Sequence, residues 1–111
     1  MSDVFYIKQG DQAPAIGCLL QYADGTAQDL TGPLVVRFSM RLKGSTTPKV
    51  NAQTATVVTP LTGEVRYTWG ATDTDTVGTY QAEFVVTLVD GRTVTFPNDG
   101  YLLVEVTDDV A

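Results

Sequence analysis

Hydrophobic and polar residues alternate along much of this chain, most cleanly between Leu34 and Leu42. In that segment apolar side chains recur at every second position: Val36, Phe38, Met40 and Leu42. The positions between them include Arg37 and Arg41. Because successive side chains of a strand point to opposite faces, the pattern predicts a strand with one buried face and one face in water.

The same pattern in the rest of the chain predicts short strands separated by turns rich in glycine and proline. The predicted strands are Val4–Gln9, Ala15–Tyr22, Leu34–Leu42, Val50–Val58, Glu64–Trp69, Thr79–Val89, Arg92–Phe96 and Tyr101–Val106. Val50–Val58 is either one weak strand or a pair. Asp24-Gly25 and Asp90-Gly91 are typical of tight hairpins, since glycine takes positive φ without steric cost.

Seven to nine short strands in 111 residues predict an all-β fold, and more specifically an immunoglobulin-like β-sandwich of antiparallel strands. Seventeen threonines, which favour extended backbone, agree with this fold class. The length fits one domain over residues 1–111, with a short N-terminal segment and a C-terminal tail at 108–111.

Composition excludes several kinds of chemistry. The chain has no histidine, and its single cysteine, Cys18, supplies neither an internal disulfide nor a pair of metal ligands. With 7 basic and 13 acidic residues the formal charge is −6, which opposes nucleic-acid binding. No apolar run reaches the roughly 18 residues of a membrane helix, and the N-terminus lacks a signal-peptide core. We therefore expect synthesis in the cytoplasm, with no membrane or nucleic-acid partner.

Two small features leave a chemical role open. Cys18 lies in an apolar strand, where a buried, unreactive thiol is the stronger interpretation and a reactive one the weaker. Asp73 and Asp75 flank one threonine in a polar loop, so they either hold calcium or cap backbone amides of a turn, which is the commoner use. Since no acid–base pair emerges, we expect no catalytic residue, metal or cofactor.

Three arginines, Arg37, Arg41 and Arg66, fall on the polar faces of predicted strands. They form either a basic stripe that docks an acidic partner or a solvated face. In the second case they pair across strands with Glu64, Glu83 or Glu105.

Aromatic residues near the N-terminus are candidate interface anchors. Phe5, Tyr6 and Tyr22 cannot all point inward from short alternating strands, and exposed tyrosine and phenylalanine are enriched at protein interfaces. An aromatic platform for a sugar is the competing interpretation.

The segment from Asp75 to Tyr80, with Gly78 between them, resembles the Asp-x-x-Gly-x-Tyr approach to strand F of immunoglobulin-like domains. There the tyrosine hydroxyl bonds back to the backbone near a corner. The resemblance implies structural roles for Asp75, Gly78 and Tyr80. Ala82 stands where antibody domains carry a cysteine, and Trp69 falls in the fifth predicted strand, where it should point inward. An antibody-type core is therefore not expected.

Ordered motifs along the chain also resemble a family. They include the opening Phe5–Pro14, Asp24-Gly25, Asp29–Gly32, the Val-x-Phe-x-Met strand at 36–40, Thr62–Trp69, Gly78–Phe84 and Asp90–Tyr101. In this order they resemble the immunoglobulin-like N-terminal domain of bacteriophage baseplate upper proteins.

The resemblance implies a non-enzymatic virion structural protein, with other virion proteins as partners in a homo-oligomer or multi-copy array. Without the further domains of baseplate proteins, the expected role is a capsid decoration or head accessory protein. The alternative is a tail or baseplate component that binds a host receptor or carbohydrate. The expected location is the virion, after synthesis in the host cytoplasm.

Overall fold

The computed structural model describes residues 4–32 and 34–110. The described chain forms nine strands and one short 3-10 turn at Pro60–Thr62. The strands are β1 (Val4–Lys8), β2 (Ile16–Leu19), β3 (Val35–Leu42), β4 (Pro48–Thr54), β5 (Thr56–Thr59), β6 (Glu64–Tyr67), β7 (Gly78–Thr87), β8 (Thr93–Phe96) and β9 (Leu102–Thr107). The all-β prediction is confirmed.

Two sheets contain these strands. The larger sheet has the order β1-β9-β7-β3-β4, with β8 also paired to β7, and the smaller has the order β2-β6-β5. β1 runs parallel to β9, whereas the other strand pairs are antiparallel. The expectation of antiparallel strands throughout is therefore wrong for β1. Because β1 and β9 lie at opposite ends of the chain, no short turn forces them to be antiparallel.

β3 and β7 form the centre of the larger sheet. They pair over eight residues, with Phe38 opposite Phe84, and both of these side chains are fully buried. Phe38 also stacks on Tyr67 of the smaller sheet, with 4.5 Å between ring centroids, and meets Trp69 edge-on at 5.7 Å. The two sheets therefore pack face to face through aromatic side chains.

Val50–Val58 forms the pair of strands that the sequence allowed, and the last part of the chain forms two strands as predicted. Val50–Val58 is split between β4 and β5, which belong to different sheets, and the Ala55 amide between them donates to the Val36 carbonyl at 2.8 Å. The last part of the chain pairs with β7 first as β8 and then as β9, since the bend after Phe96 interrupts the ladder. Leu42, which the alternation places inward, is 39% exposed because it ends β3.

The motif at the start of β7 builds a corner. The Tyr80 hydroxyl donates to the Thr76 carbonyl at 2.7 Å, which is the bond that the motif implies. Gly78 has φ of 155°, and a Cβ there would lie 2.6 Å from Leu42 Cδ1, so this position requires glycine. Trp69 is buried as expected, just after β6, and its Nε1 donates to the Pro14 carbonyl at 3.0 Å.

Replacing Tyr80 with phenylalanine tests the corner. Tyr80→Phe keeps the buried ring but removes the donor to Thr76, so the free energy of unfolding should fall by about 1 kcal/mol. Urea denaturation measures this change. Tyr6→Phe is the matched control, because the Tyr6 side chain is 67% exposed and should contribute little to stability. Equal stability of Tyr80→Phe and the wild type would contradict a stabilising corner bond.

Candidate functional site

A groove crosses the outer face of the larger sheet, the face directed away from the smaller sheet. Its volume is about 320 Å³. β3 and β7 form its floor, Tyr101 borders one side, and Thr46 and Pro48 border the other. The remaining lining residues are Ser39, Met40, Arg41, Gln81 and Glu83.

Arg41 is the most connected polar residue of the groove. It stands opposite Gln81 in the β3–β7 ladder, and its Nε donates to Gln81 Oε1 at 3.3 Å. Its Nη2 donates to the Tyr101 hydroxyl at 3.2 Å, and its guanidinium carbon lies 5.4 Å from the Tyr101 ring centroid. Neutral partners and a ring face therefore fix the guanidinium in place.

No carboxylate neutralises this arginine among the described residues, whose ion pairs are Lys49–Asp75 and Arg92–Asp90. Glu83 lines the same groove two positions along β7 from Gln81. It stands opposite Ser39, diagonal to Arg41, and belongs to neither ion pair. The groove therefore presents a positive group and a negative group side by side.

Ser39 connects the groove to the neighbouring edge of the sheet. Its Oγ accepts a hydrogen bond from the Ala52 amide at 2.9 Å. Ala52 has φ of 50° at an irregularity of the β3–β4 ladder, where three steps along β4 oppose two along β3. The serine hydroxyl thereby replaces a ladder bond at this bulge.

Basic residues are concentrated in the part of the chain that contains β3 and β4. Between Asp29 and Glu64 the chain contains no acidic residue but four of its seven basic ones: Arg37, Arg41, Lys43 and Lys49. The rest of the chain holds three basic and all thirteen acidic residues. We call β3, β4 and their connecting hairpin, residues 35–54, the basic flank. It carries positive charge on a protein whose net charge is −6.

The structure separates the three predicted arginines. Arg37 and Arg41 lie on β3, whereas Arg66 lies on β6 of the smaller sheet, between Gly17 and Thr56. Arg66 is exposed on the other side of the molecule, so a single stripe of three arginines is wrong. Alternation along a strand identifies its faces, but it does not identify the sheet to which the strand belongs.

The predicted cross-strand ion pairs are also wrong for the described residues. Arg37 instead donates to the Ala52 carbonyl at 3.2 Å. Glu64 accepts from Thr59 Oγ1 at 3.0 Å, and Glu105 accepts from Thr79 Oγ1.

The three predicted aromatic anchors have different environments. Phe5 is half-buried, and its ring packs on Trp69 with 5.8 Å between centroids, so it contributes to the core, and its role at an interface stays a prediction. Tyr22 meets Phe96 edge-on at 5.3 Å, and its hydroxyl donates to Gln28. Tyr6, in contrast, lies on the outer face of β1 and is 67% exposed.

Both aspartates of the polar loop form hydrogen bonds within the protein. Asp73 accepts from the Gly70 amide at 2.7 Å and from the Tyr67 hydroxyl at 2.5 Å. Asp75 pairs with Lys49 and accepts from Thr76 Oγ1 at 2.9 Å. These bonds agree with the turn interpretation. In the described part of the chain, histidine, cysteine and carboxylate side chains form no group of three or more that could hold a metal ion.

Of the residues that line the groove, sequence analysis predicted only Arg41 as a contact; Ser39, Gln81, Glu83 and Tyr101 are among those that it missed. The alternation of β3 and β7 places the first three on the outer face. The position of Tyr101 was not available from any pattern, because it depends on how the chain bends between β8 and β9.

Comparison of the chain with protein-family models, curated proteins and solved structures found no match. Within residues 4–32 and 34–110 no helix is long and apolar enough to cross a membrane.

The Cys18 thiol should react slowly. It is half-buried among core residues, and burial raises its pKa, which lowers the thiolate fraction at neutral pH. In the folded protein, labelling by a disulfide reagent at pH 8 should be at least about tenfold slower than in urea. Equal rates in the folded and unfolded protein would contradict this prediction.

The Lys49–Asp75 ion pair should be visible in a titration. Hydrogen bonding to Lys49, followed by that to Thr76, holds the pKa of Asp75 below its usual range. Lys49→Met should raise this pKa towards its usual value, as measured by carboxyl NMR. Because the folded-state pKa is lowered, the pair stabilises the fold above the unfolded-state pKa and loses its effect as the pH falls through the folded-state value.

The matched control for this titration is Lys43→Met, since Lys43 forms no ion pair among the described residues. This control should leave the pKa of Asp75 unchanged. The same pKa in Lys49→Met and in the wild type would overturn the assignment.

Proposed function

We propose that this protein is a non-enzymatic structural protein of a bacteriophage particle. In this proposal it is a capsid decoration or head accessory protein, present in many copies and held by contacts with other virion proteins. The ordered motifs that resemble the immunoglobulin-like domain of phage baseplate proteins support the proposal, as does the open edge of β1.

The strand arrangement supports an immunoglobulin-like sandwich. The larger sheet contains β3, β7 and β9 and is extended by β4, and the smaller sheet contains β2, β6 and β5. This distribution, with a tyrosine corner before β7, is typical of immunoglobulin-like domains. Trp69 follows β6 instead of lying on β3, so the core differs from that of antibody domains.

The open edge of β1 is the observation that carries the contact function. The Gln9 amide donates to the Thr107 carbonyl at 2.8 Å, so in this parallel ladder Phe5 and Ile7 direct their backbone groups to β9. The amides of Val4, Tyr6 and Lys8 then face the open edge. The strand has a regular register over five residues and contains neither proline nor a bulge.

The other edges are less suited to strand addition. β4 begins at Pro48 and has the irregularity at Ala52, both of which disfavour a regular ladder. β2, β5 and β8 have four residues each. A partner strand is therefore expected on β1, where backbone hydrogen bonds supply affinity and Tyr6 supplies a side-chain contact.

Purified particles test the proposed function. Quantitative mass spectrometry of particles from cells that carry the encoding genome should find the protein in many copies. Particles that lack it should be less stable to heat or low salt. Absence of the protein from purified particles would overturn the proposal.

Two variants of Tyr6 test the open edge. Tyr6→Pro removes an amide that does not bond to β9, so it should reduce incorporation into particles at least about tenfold without unfolding the protein. Tyr6→Leu keeps the amide and should retain most of the incorporation. Incorporation of Tyr6→Pro at the wild-type level, with folding verified by urea denaturation, would exclude strand addition at β1.

A further inference from the structure

We propose that the groove over β3 and β7 binds an acidic segment of a partner protein, with one carboxylate of that segment on Arg41. This inference rests on the proposal that the protein works through protein–protein contacts. It concerns a different surface from the β1 edge, because the groove lies on the outer face of the sheet and is bordered by the basic flank.

The donors of Arg41 favour a carboxylate. A guanidinium has five N–H donors, and the bonds to Gln81 and Tyr101 occupy one donor on Nε and one on Nη2. Both Nη1 donors and one Nη2 donor remain. A carboxylate can bind an Nη1 and an Nη2 donor of this kind through two parallel hydrogen bonds. Because Arg41 forms no ion pair among the described residues, these remaining donors can bind a ligand carboxylate.

Tyr101 limits the chemistry of the ligand. Its ring forms one side of the groove, and Arg41 covers one face of that ring at 5.4 Å. The covered face is not free for stacking against a sugar or a nucleic-acid base. The ring instead keeps water from one side of the guanidinium, which strengthens an ion pair formed there.

The position of Glu83 makes the groove better suited to a polypeptide than to a polyphosphate. Its carboxylate lies in the groove diagonal to Arg41 and would repel a second phosphate of a nucleic acid. A peptide carries both partners that the groove needs, an acidic side chain for Arg41 and backbone N–H donors for Glu83. The thirteen acidic residues outside the basic flank add a general repulsion against nucleic acid.

The charge distribution favours an acidic partner in particular. Arg37 and Arg41 lie on the outer face of β3, and Lys43 follows in the hairpin beside the groove. A segment that places one carboxylate on Arg41 would have this part of the basic flank beside it. Complementary charge of this kind directs the orientation of a partner and discriminates against basic partners.

Selection from a peptide library tests the inference with the full chain as the target. Selected peptides should be enriched in aspartate or glutamate and should bind the wild-type protein in fluorescence anisotropy. Arg41→Gln should weaken their binding at least tenfold. Arg41→Lys, which keeps the charge but not the planar donors, should weaken it at least about threefold.

The matched control is Arg66→Gln, which removes an exposed arginine of the other sheet and should leave binding unchanged. Urea denaturation of all three variants separates loss of binding from loss of folding. If Arg41→Gln is unstable, the roughly threefold loss expected of Arg41→Lys relative to the wild type provides the test.

Three results would overturn the inference: selected peptides without enriched acids, equal affinity of Arg41→Gln and the wild type, or a single-stranded oligonucleotide that binds the groove more tightly than the peptides. The results also separate the two proposals. If the protein is absent from particles but binds acidic peptides through Arg41, only the virion proposal fails. If it is present in particles and shows no dependence on Arg41, only the acidic-segment inference fails.

Discussion

The contact between Phe38 and Tyr67 determines how the rest of the molecule is arranged. It joins the two sheets at their centre, where Trp69 and Phe84 complete an aromatic cluster around Phe38. The chain has one cysteine and thus no internal disulfide, so packing of this kind must hold the sheets together. Once Phe38 points inward, strand alternation directs Ser39 and Arg41 outward, and the paired register does the same for Gln81 and Glu83. The floor of the groove is therefore a consequence of the core.

The sequence predicted the features that depend on local alternation. It placed Phe38, Met40 and Trp69 inside and Arg37 outside, and the structure agrees in each case. It could not assign Arg66, because a strand pattern does not identify the sheet to which a strand belongs. It also could not predict the partial burial of Phe5, which depends on a contact with Trp69, more than sixty residues away in the chain.

Turn geometry explains part of the acidic surplus. Asp24 accepts from the Thr26 amide, and Asp90 accepts from the Arg92 amide, each at a hairpin. These bonds hold the pKa of both carboxyls below its usual range. The net charge of −6 therefore owes part of its size to the aspartates that the turns require. Apart from Lys49, which pairs with Asp75, the basic residues of the basic flank form no ion pair within the described chain, so their positive charge is left for contact with other molecules.

The two long edges of the larger sheet differ in a way that limits assembly. β4 is interrupted by Pro48 and the Ala52 irregularity, whereas β1 has a regular register with β9. If both edges accepted strands, copies would add to one another without end and form fibres. With β1 open and β4 protected, one strand can be added and the growth stops. A partner on the β1 edge and an acidic segment in the groove would then contact the protein at separate surfaces. This arrangement suits a subunit that joins neighbours without polymerising by itself.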